Sequence, residues 1–162
     1  MNDQTAPVPD SANAGLARPP VIYLSAIVLG AVLHFVWPTP LLPVPSAIST
    51  TAGVIGTLAA VALFVYAVRT FKAAGTPVPG NLPMTTIVRT GPYRFSRNPI
   101  YLAFSLLQLS IAVWVNSPWL VVTLVAAVAV MSLIVIPREE QYLEVTFGEP
   151  YLRYKARVRR WL

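Results

Sequence analysis

The chain has 162 residues, 56% of them hydrophobic and only 11% charged, with a mean hydropathy of +0.63. That composition excludes an ordinary soluble domain and points to a polytopic membrane protein. It has no cysteine and one histidine, which excludes disulfides, thiol nucleophiles and the usual metal sites. The placement of its +6 net charge argues for an anionic membrane surface as partner, not nucleic acid.

Residues 1–18 read as a disordered tail, because Met1 to Ala17 is rich in Pro, Ala, Asn and Asp and has no apolar period. Asp3 and Asp10, with no basic residue before Arg18, do not make a secretory leader. Residues 19–162 are expected to form a single membrane domain. The fold class is all-α, with four transmembrane helices at about 20–37, 47–68, 99–115 and 119–136 and a polar cytoplasmic segment at 137–162. Pro38-Thr-Pro40 and Pro43-Val-Pro45 make a stiff turn after the first apolar run. In the second, Gly53, Gly56, Ala59 and Ala60 are small enough to let another helix approach closely. Two prolines and two glycines within Gly75–Gly80 mark a loop. Only Asn116-Ser117-Pro118 joins the third and fourth runs, so these two must form an antiparallel hairpin.

The twelve basic residues suggest an orientation. Arg18 flanks the first helix, Arg69, Lys72, Arg89, Arg94 and Arg97 lie between the second and third, and Arg138, Arg153, Lys155, Arg157, Arg159 and Arg160 follow the fourth. The turns 38–46 and 116–118 carry none, so the positive-inside rule puts both termini and the middle loop in the cytoplasm. All candidate chemistry then falls on one face, and an inner or plasma membrane location is expected.

Arg89-Thr-Gly-Pro-Tyr-Arg-Phe-Ser-Arg-Asn-Pro-Ile-Tyr101 stands directly before the third apolar run. Pro99 suits a first helical position, where its missing N–H costs nothing. The arginines can anchor the helix in lipid headgroups, or they can face an anion at the helix start; the residues leave both open. Pro137 followed by Glu139 and Glu140 reads as another helix start, with Gly148 as its end. The forced hairpin brings that glutamate pair near Arg97, Asn98 and Tyr101, making a mixed acid–base cluster at the membrane face. Residues 149–161 read as an amphipathic helix with Tyr151, Tyr154, Val158 and Trp161 on one stripe and Arg153, Arg157 and Arg160 off it. It serves as a membrane anchor or as a lid. His34 reads as an interfacial or packing residue, whereas Gln108, in the middle of the third helix, can touch substrate or bond a neighbouring helix.

The order and spacing of Gly91-Pro-Tyr-Arg-Phe-Ser-Arg-Asn-Pro-Ile-Tyr101, Glu139-Glu140, Phe147-Gly-Glu-Pro-Tyr151 and Tyr154-Lys-Ala-Arg-Val158 resemble the isoprenylcysteine carboxyl methyltransferase and phospholipid methyltransferase superfamily. The likeness covers about residues 70–160. The pattern of that superfamily is Arg-His-Pro-x-Tyr and then Glu-Glu. Arg97, Pro99, Tyr101, Glu139 and Glu140 match it, and Asn98 replaces the histidine. An asparagine keeps a hydrogen bond but moves no proton at neutral pH.

The resemblance implies an integral membrane enzyme that uses S-adenosylmethionine to methylate a lipidic or small hydrophobic acceptor. Such acceptors include a prenylcysteine or isoprenoid carboxylate and a phospholipid amine. It implies Arg97 and Glu140 as catalytic residues and Gly91, Tyr93, Arg97, Asn98, Pro99, Tyr101, Glu139 and Glu140 as the cofactor site. Gln108, Tyr151 and Tyr154 are the residues expected at the acceptor. Glu139 and Glu140 suit the ammonium or the ribose, and Arg97 suits the carboxylate of the cofactor. Glu140→Gln is expected to weaken cofactor binding with the fold intact. Two other readings compete: an NADPH-dependent sterol-type reductase, against which the short chain argues, and a non-enzymatic membrane adaptor.

Overall fold

The computed structural model describes residues 18–77 and 84–162. The expected N-terminal tail, apart from Arg18, and the middle of the Gly75–Gly80 loop lie outside the described residues. Six helices carry the fold: α1 Pro19–Val36, α2 Ser46–Ala73, α3 Pro99–Trp114, α4 Pro118–Val130, α5 Ile136–Phe147 and α6 Glu149–Arg157. A single 3-10 turn, Gly91–Arg94, precedes α3, and no strand occurs among the described residues. Five of the helices have proline in their first two positions and α2 has Pro45 just before it. Proline is tolerated there because those N–H groups have no helical partner to lose.

The bundle pairs α2 with α3, α1 with α4, and α3 with α4. Small residues set the α2–α3 distance. A side chain at Gly53 would run into Trp114, and one at Gly56 into Ser110. At Gly30, where α1 meets α4, an added Cβ would come 2.7 Å from Thr123 Oγ1. Away from these seams α1 and α2 expose Leu24, Phe35, Ile55 and Leu58. That is the surface expected against lipid tails, which take up apolar side chains as readily as a protein core does.

Three helices are long and apolar enough to cross a membrane: Pro19–Val36, Ser46–Ala73 and the continuous helix Pro118–Phe147. Helix α3 is apolar but has 16 residues, which rise about 24 Å against a hydrocarbon core of about 30 Å. It nevertheless runs the length of the bundle, because its two ends meet the two ends of the other helices. At one end Asn116, in a left-handed conformation with φ 54°, joins α3 to α4. Its side chain accepts from the Leu41 and Leu42 amides at 3.0 and 2.8 Å, and Trp119 Nε1 donates to Trp37 O at 2.7 Å. The two short turns are therefore welded together. Residues 84–98, α5 and α6 gather at the opposite end.

Two boundaries of the apolar helices differ from those read in the sequence. Helix α2 runs on to Ala73, because the polar residues after Val68 continue the helix beyond its apolar stretch. The fourth run does not stop at Pro137. A π turn over Met131–Val135 leads directly into α5, and Ile136 N–H donates to Met131 O. Proline at 137 removes one backbone donor and crowds the carbonyl four residues earlier. Here the widened turn carries the helix past that defect.

The chain lacks cysteine, so a single introduced thiol reports sidedness. Ser117 is fully buried, whereas Thr39 in the first turn is exposed. Thr39→Cys in intact cells is expected to react with an impermeant maleimide added outside. Labelling only after the membrane is opened would reverse the orientation argued from the basic residues.

Candidate active site

A cavity opens at the end of the bundle that carries α5 and α6. Its wall is built from the end of α2 (Phe71), the segment before α3 (Met84, Ile87, Val88, Tyr93, Arg97, Asn98), the start of α3 (Pro99, Ile100, Tyr101), α5 (Glu139, Glu140, Tyr142, Leu143) and α6 (Tyr151, Tyr154). The α3–α4 hairpin brings the glutamates beside residues 97–101. Tyr101 Oη donates to Glu139 Oε1 at 2.7 Å, and Arg97 Nη2 lies 2.8 Å from Glu140 Oε1. Both carboxylates are buried.

Glu140 is the hub of the cations. Besides Arg97, it takes Arg160 through Nε at 3.1 Å and Nη2 at 2.8 Å, and Lys155 Nζ lies 3.5 Å away. The Arg160 guanidinium is held on its proton even more firmly than usual by the hydrogen bond to Glu140. Lys155 is shared with Glu144.

The C-terminal residues complete the wall from outside. The Arg97 amide donates to Arg159 O at 3.0 Å, and Asn98 Nδ2 donates to Arg160 O at 3.0 Å. Arg97 Nη1 donates to Lys155 O at 3.1 Å. Arg160 Nη1 reaches the carbonyl of Ser132 inside the π turn at 3.2 Å, and Trp161 Nε1 lies 3.2 Å from Ser132 Oγ. Residues 158–162 form a non-helical strap, since α6 ends at Arg157 and Val158 adopts φ −117°, ψ 130°. The expected helix to 161 is thereby shortened, and Arg160 turns inward instead of toward headgroups. With α6 ended at Arg157, the chain brings the carbonyls of Arg159 and Arg160 against residues 97 and 98, which donate to them.

Three tyrosines of the wall, Tyr93, Tyr151 and Tyr154, keep their hydroxyl protons at neutral pH. Burial pushes the hydroxyls of Tyr93 and Tyr151 far up, and that of Tyr154 up to about 12. Tyr154 Oη donates to Tyr93 O at 2.8 Å, and Phe71 stacks edge-on against Tyr93 with ring centroids 4.9 Å apart. These rings exclude water, and their hydroxyls do not serve as bases at neutral pH. Two buried polar atoms on the wall, Tyr93 Oη and Arg97 Nε, have no partner among the described residues. Buried groups of this kind normally find one.

A model of the phospholipid methyltransferase family matches residues 48–150. The chain belongs to that family. A protein of Haemophilus influenzae described as uncharacterized is 38% identical over 63 residues, which is 39% of this chain and 100% of that protein. No solved structure matches. In this phospholipid methyltransferase family member, Tyr93, Arg97, Asn98, Pro99, Tyr101, Glu139, Glu140, Tyr151 and Tyr154 all stand on one cavity wall.

Two of the residues singled out in the sequence stand elsewhere. Gly91 is off the wall; it starts the 3-10 turn with φ 57°, against Thr70 of α2. Gln108 is fully buried between α3 and α4, where its Nε2 donates to Leu120 O and Thr123 Oγ1, both at 3.2 Å. It ties two helices and does not line the cavity. The apolar wall of Phe71, Met84, Ile87, Val88, Tyr142 and Leu143 was not singled out, since single apolar residues in loops and helix ends carry no motif. Tyr23 of α1 was missed as well. It lies 2.8 Å from Ser105 Oγ and donates to Tyr101 O at 3.3 Å, bracing the residue that holds Glu139.

Proposed function

We propose that the chain is an S-adenosylmethionine-dependent methyltransferase whose acceptor is a lipidic or small hydrophobic molecule that enters from the bilayer. The observation that carries this reading is the cavity wall itself. It presents two buried carboxylates, an arginine and a tyrosine with an unused buried polar atom each, and several aromatic rings. That donor set fits a ligand with an ammonium, a carboxylate, ribose hydroxyls and a sulfonium. When bound, S-adenosylmethionine supplies a methyl group activated by its positive sulfur.

The protein's part is to bind, align and keep water out. Arg97 Nε and Tyr93 Oη are the donors for a ligand carboxylate or hydroxyl. Glu139, oriented by Tyr101, accepts from an ammonium or from ribose. Glu140 acts through Arg97 and Arg160, which occupy its oxygens, and so positions the site. The faces of Tyr93, Tyr101 and Tyr151 suit a cationic centre. Asn98 anchors the strap through Arg160 O, a role that needs no proton transfer. Alignment in a dry site supplies much of the rate of such a transfer. In this reading α3 crosses the bilayer as the fourth helix, its 16 residues made sufficient by the turn residues at both ends.

Titration calorimetry on the purified protein is expected to show binding of S-adenosylhomocysteine and none of NADPH; the reverse result would replace this reading by the reductase one. Glu139→Gln is expected to weaken S-adenosylhomocysteine binding by roughly tenfold or more, the usual worth of one hydrogen bond to a charged group. An unchanged affinity would remove Glu139 from the cofactor site.

A further inference from the structure

A second concavity lies on the same end of the molecule. It is lined by Arg89 and Arg94 from the segment before α3 and by Arg153, Tyr154, Arg157 and Val158 from α6 and its end. Tyr154 is the one residue it shares with the cavity described above. Its four arginines form no ion pair among the described residues. The cations next door each have a carboxylate partner: Arg97, Lys155 and Arg160 share Glu140 and Glu144 among them. Within the groove, Arg89 Nη2 donates to Pro150 O at 2.7 Å, which fixes that side chain to the start of α6 and leaves its other N–H groups for a ligand. Arg153 and Arg157 are one turn apart on the same helix, where like charges repel. Four guanidinium groups held around one groove without a carboxylate lose stability unless an anion joins them.

The surroundings identify which anion. Phe95, next to Arg94, is 72% exposed, and Leu152, next to Arg153, is 42% exposed. Phe95 stands where the apolar surface of the helices gives way to polar chain, since α3 begins at Pro99, and Leu152 is on α6, the helix that carries Arg153 and Arg157. Arginine beside an exposed aromatic ring at that level matches a lipid headgroup joined to an acyl chain. A freely soluble phosphate would have no use for the apolar neighbours. We propose that this groove binds the phosphate headgroup of an anionic phospholipid from the adjacent leaflet, at a site separate from the cavity between α3 and α5. The inference does not depend on the methyl-transfer reading.

The test uses the full chain in a neutral maltoside detergent, with affinity measured for dioctanoyl phosphatidylglycerol, dioctanoyl phosphatidylcholine and inorganic phosphate. Phosphatidylglycerol is expected to bind at least about tenfold more tightly than phosphatidylcholine and to weaken steeply as salt is raised. The double variant Arg153→Gln/Arg157→Gln is expected to lose about thirtyfold in affinity, on the basis of about one arginine's surface attraction per side chain removed. Arg153→Lys/Arg157→Lys is expected to retain most of it. Equal binding of the two lipids, or glutamine variants that bind like the unmodified chain, would overturn the proposal. Displacement of phosphatidylglycerol by an equal concentration of inorganic phosphate would overturn it too, in favour of a soluble anion. The comparison of lipids and the salt series need only the unmodified chain, so a poorly folded variant leaves the proposal open to refutation.

Discussion

Glu140→Gln is expected to lower the melting temperature of the purified protein by roughly 6–12 °C, the shift that about 3 kcal/mol produces in a chain of this size. The glutamate side chain is 6% exposed and that of Arg97 is 9% exposed, so their 2.8 Å contact is nearly out of water. Removing one charge of such a pair strands the other, and that penalty exceeds the value of the contact itself. The lower end of the usual range applies because Arg160 and Lys155, each about a third exposed, can rehydrate. Glutamine also turns an amide donor toward guanidinium donors. Glu144→Gln is the control. Its partner Lys155 is as exposed as it is, and such a pair contributes under about 1 kcal/mol. A Glu140→Gln melting point within about 2 °C of the unmodified protein, or a loss matched by Glu144→Gln, would remove Glu140 from the centre of the fold. This outcome departs from the sequence expectation of an intact fold with weaker ligand binding, because the sequence does not show that three cations converge on one carboxylate.

The helices were legible because apolar runs of this length have few alternatives, and the glutamate pair was legible because a three-residue turn leaves a hairpin no freedom. Gly53 and Gly56 also showed themselves, since a run of small residues is the means by which two helices come close. The C-terminal segment was legible only to its middle. Tyr151 and Tyr154 are both buried on α6, yet the same period carried on to Val158 and Trp161, which lie beyond the end of the helix at Arg157. Arg160 falls off the stripe, which by helical geometry means solvent or headgroups. Its true partner is twenty residues back, and periodicity has no reach over that distance. Pro137 misled for a related reason. Proline near the start of a polar stretch signals a helix boundary, but the π turn that carries the helix past it has no sequence signature. That turn also exposes the Ser132 carbonyl to Arg160, so the missed defect and the missed strap belong to one feature.

The other large effect is expected from shortening the chain. A protein ending at Val158 keeps α6 with Tyr151 and Tyr154 but loses Arg159 to Leu162. With them go the acceptors of the Arg97 amide and the Asn98 side chain, the two Arg160 bonds to Glu140 and the Trp161 contact with Ser132. If residues 149–162 were only an anchor, neutral detergent would make them dispensable, since the anionic surface that attracts arginines is then gone. If they close the site, water enters when they are removed and every polar contact on the wall weakens. We expect S-adenosylhomocysteine affinity in maltoside to fall at least tenfold for the chain ending at Val158, roughly the value of one buried charge-assisted bond to the ligand-holding Arg97. A chain ending at Gly148 should lose more, because Tyr151 and Tyr154 themselves line the cavity. Binding is to be read well below each melting point, so that loss of the Glu140 contacts is not mistaken for loss of the site. A folded chain ending at Gly148 that holds S-adenosylhomocysteine as tightly as the full chain would reduce the strap and α6 to a membrane anchor. Loss of affinity in the Gly148 chain alone would assign closure to the two tyrosines of α6 and leave residues 159–162 a purely structural tie.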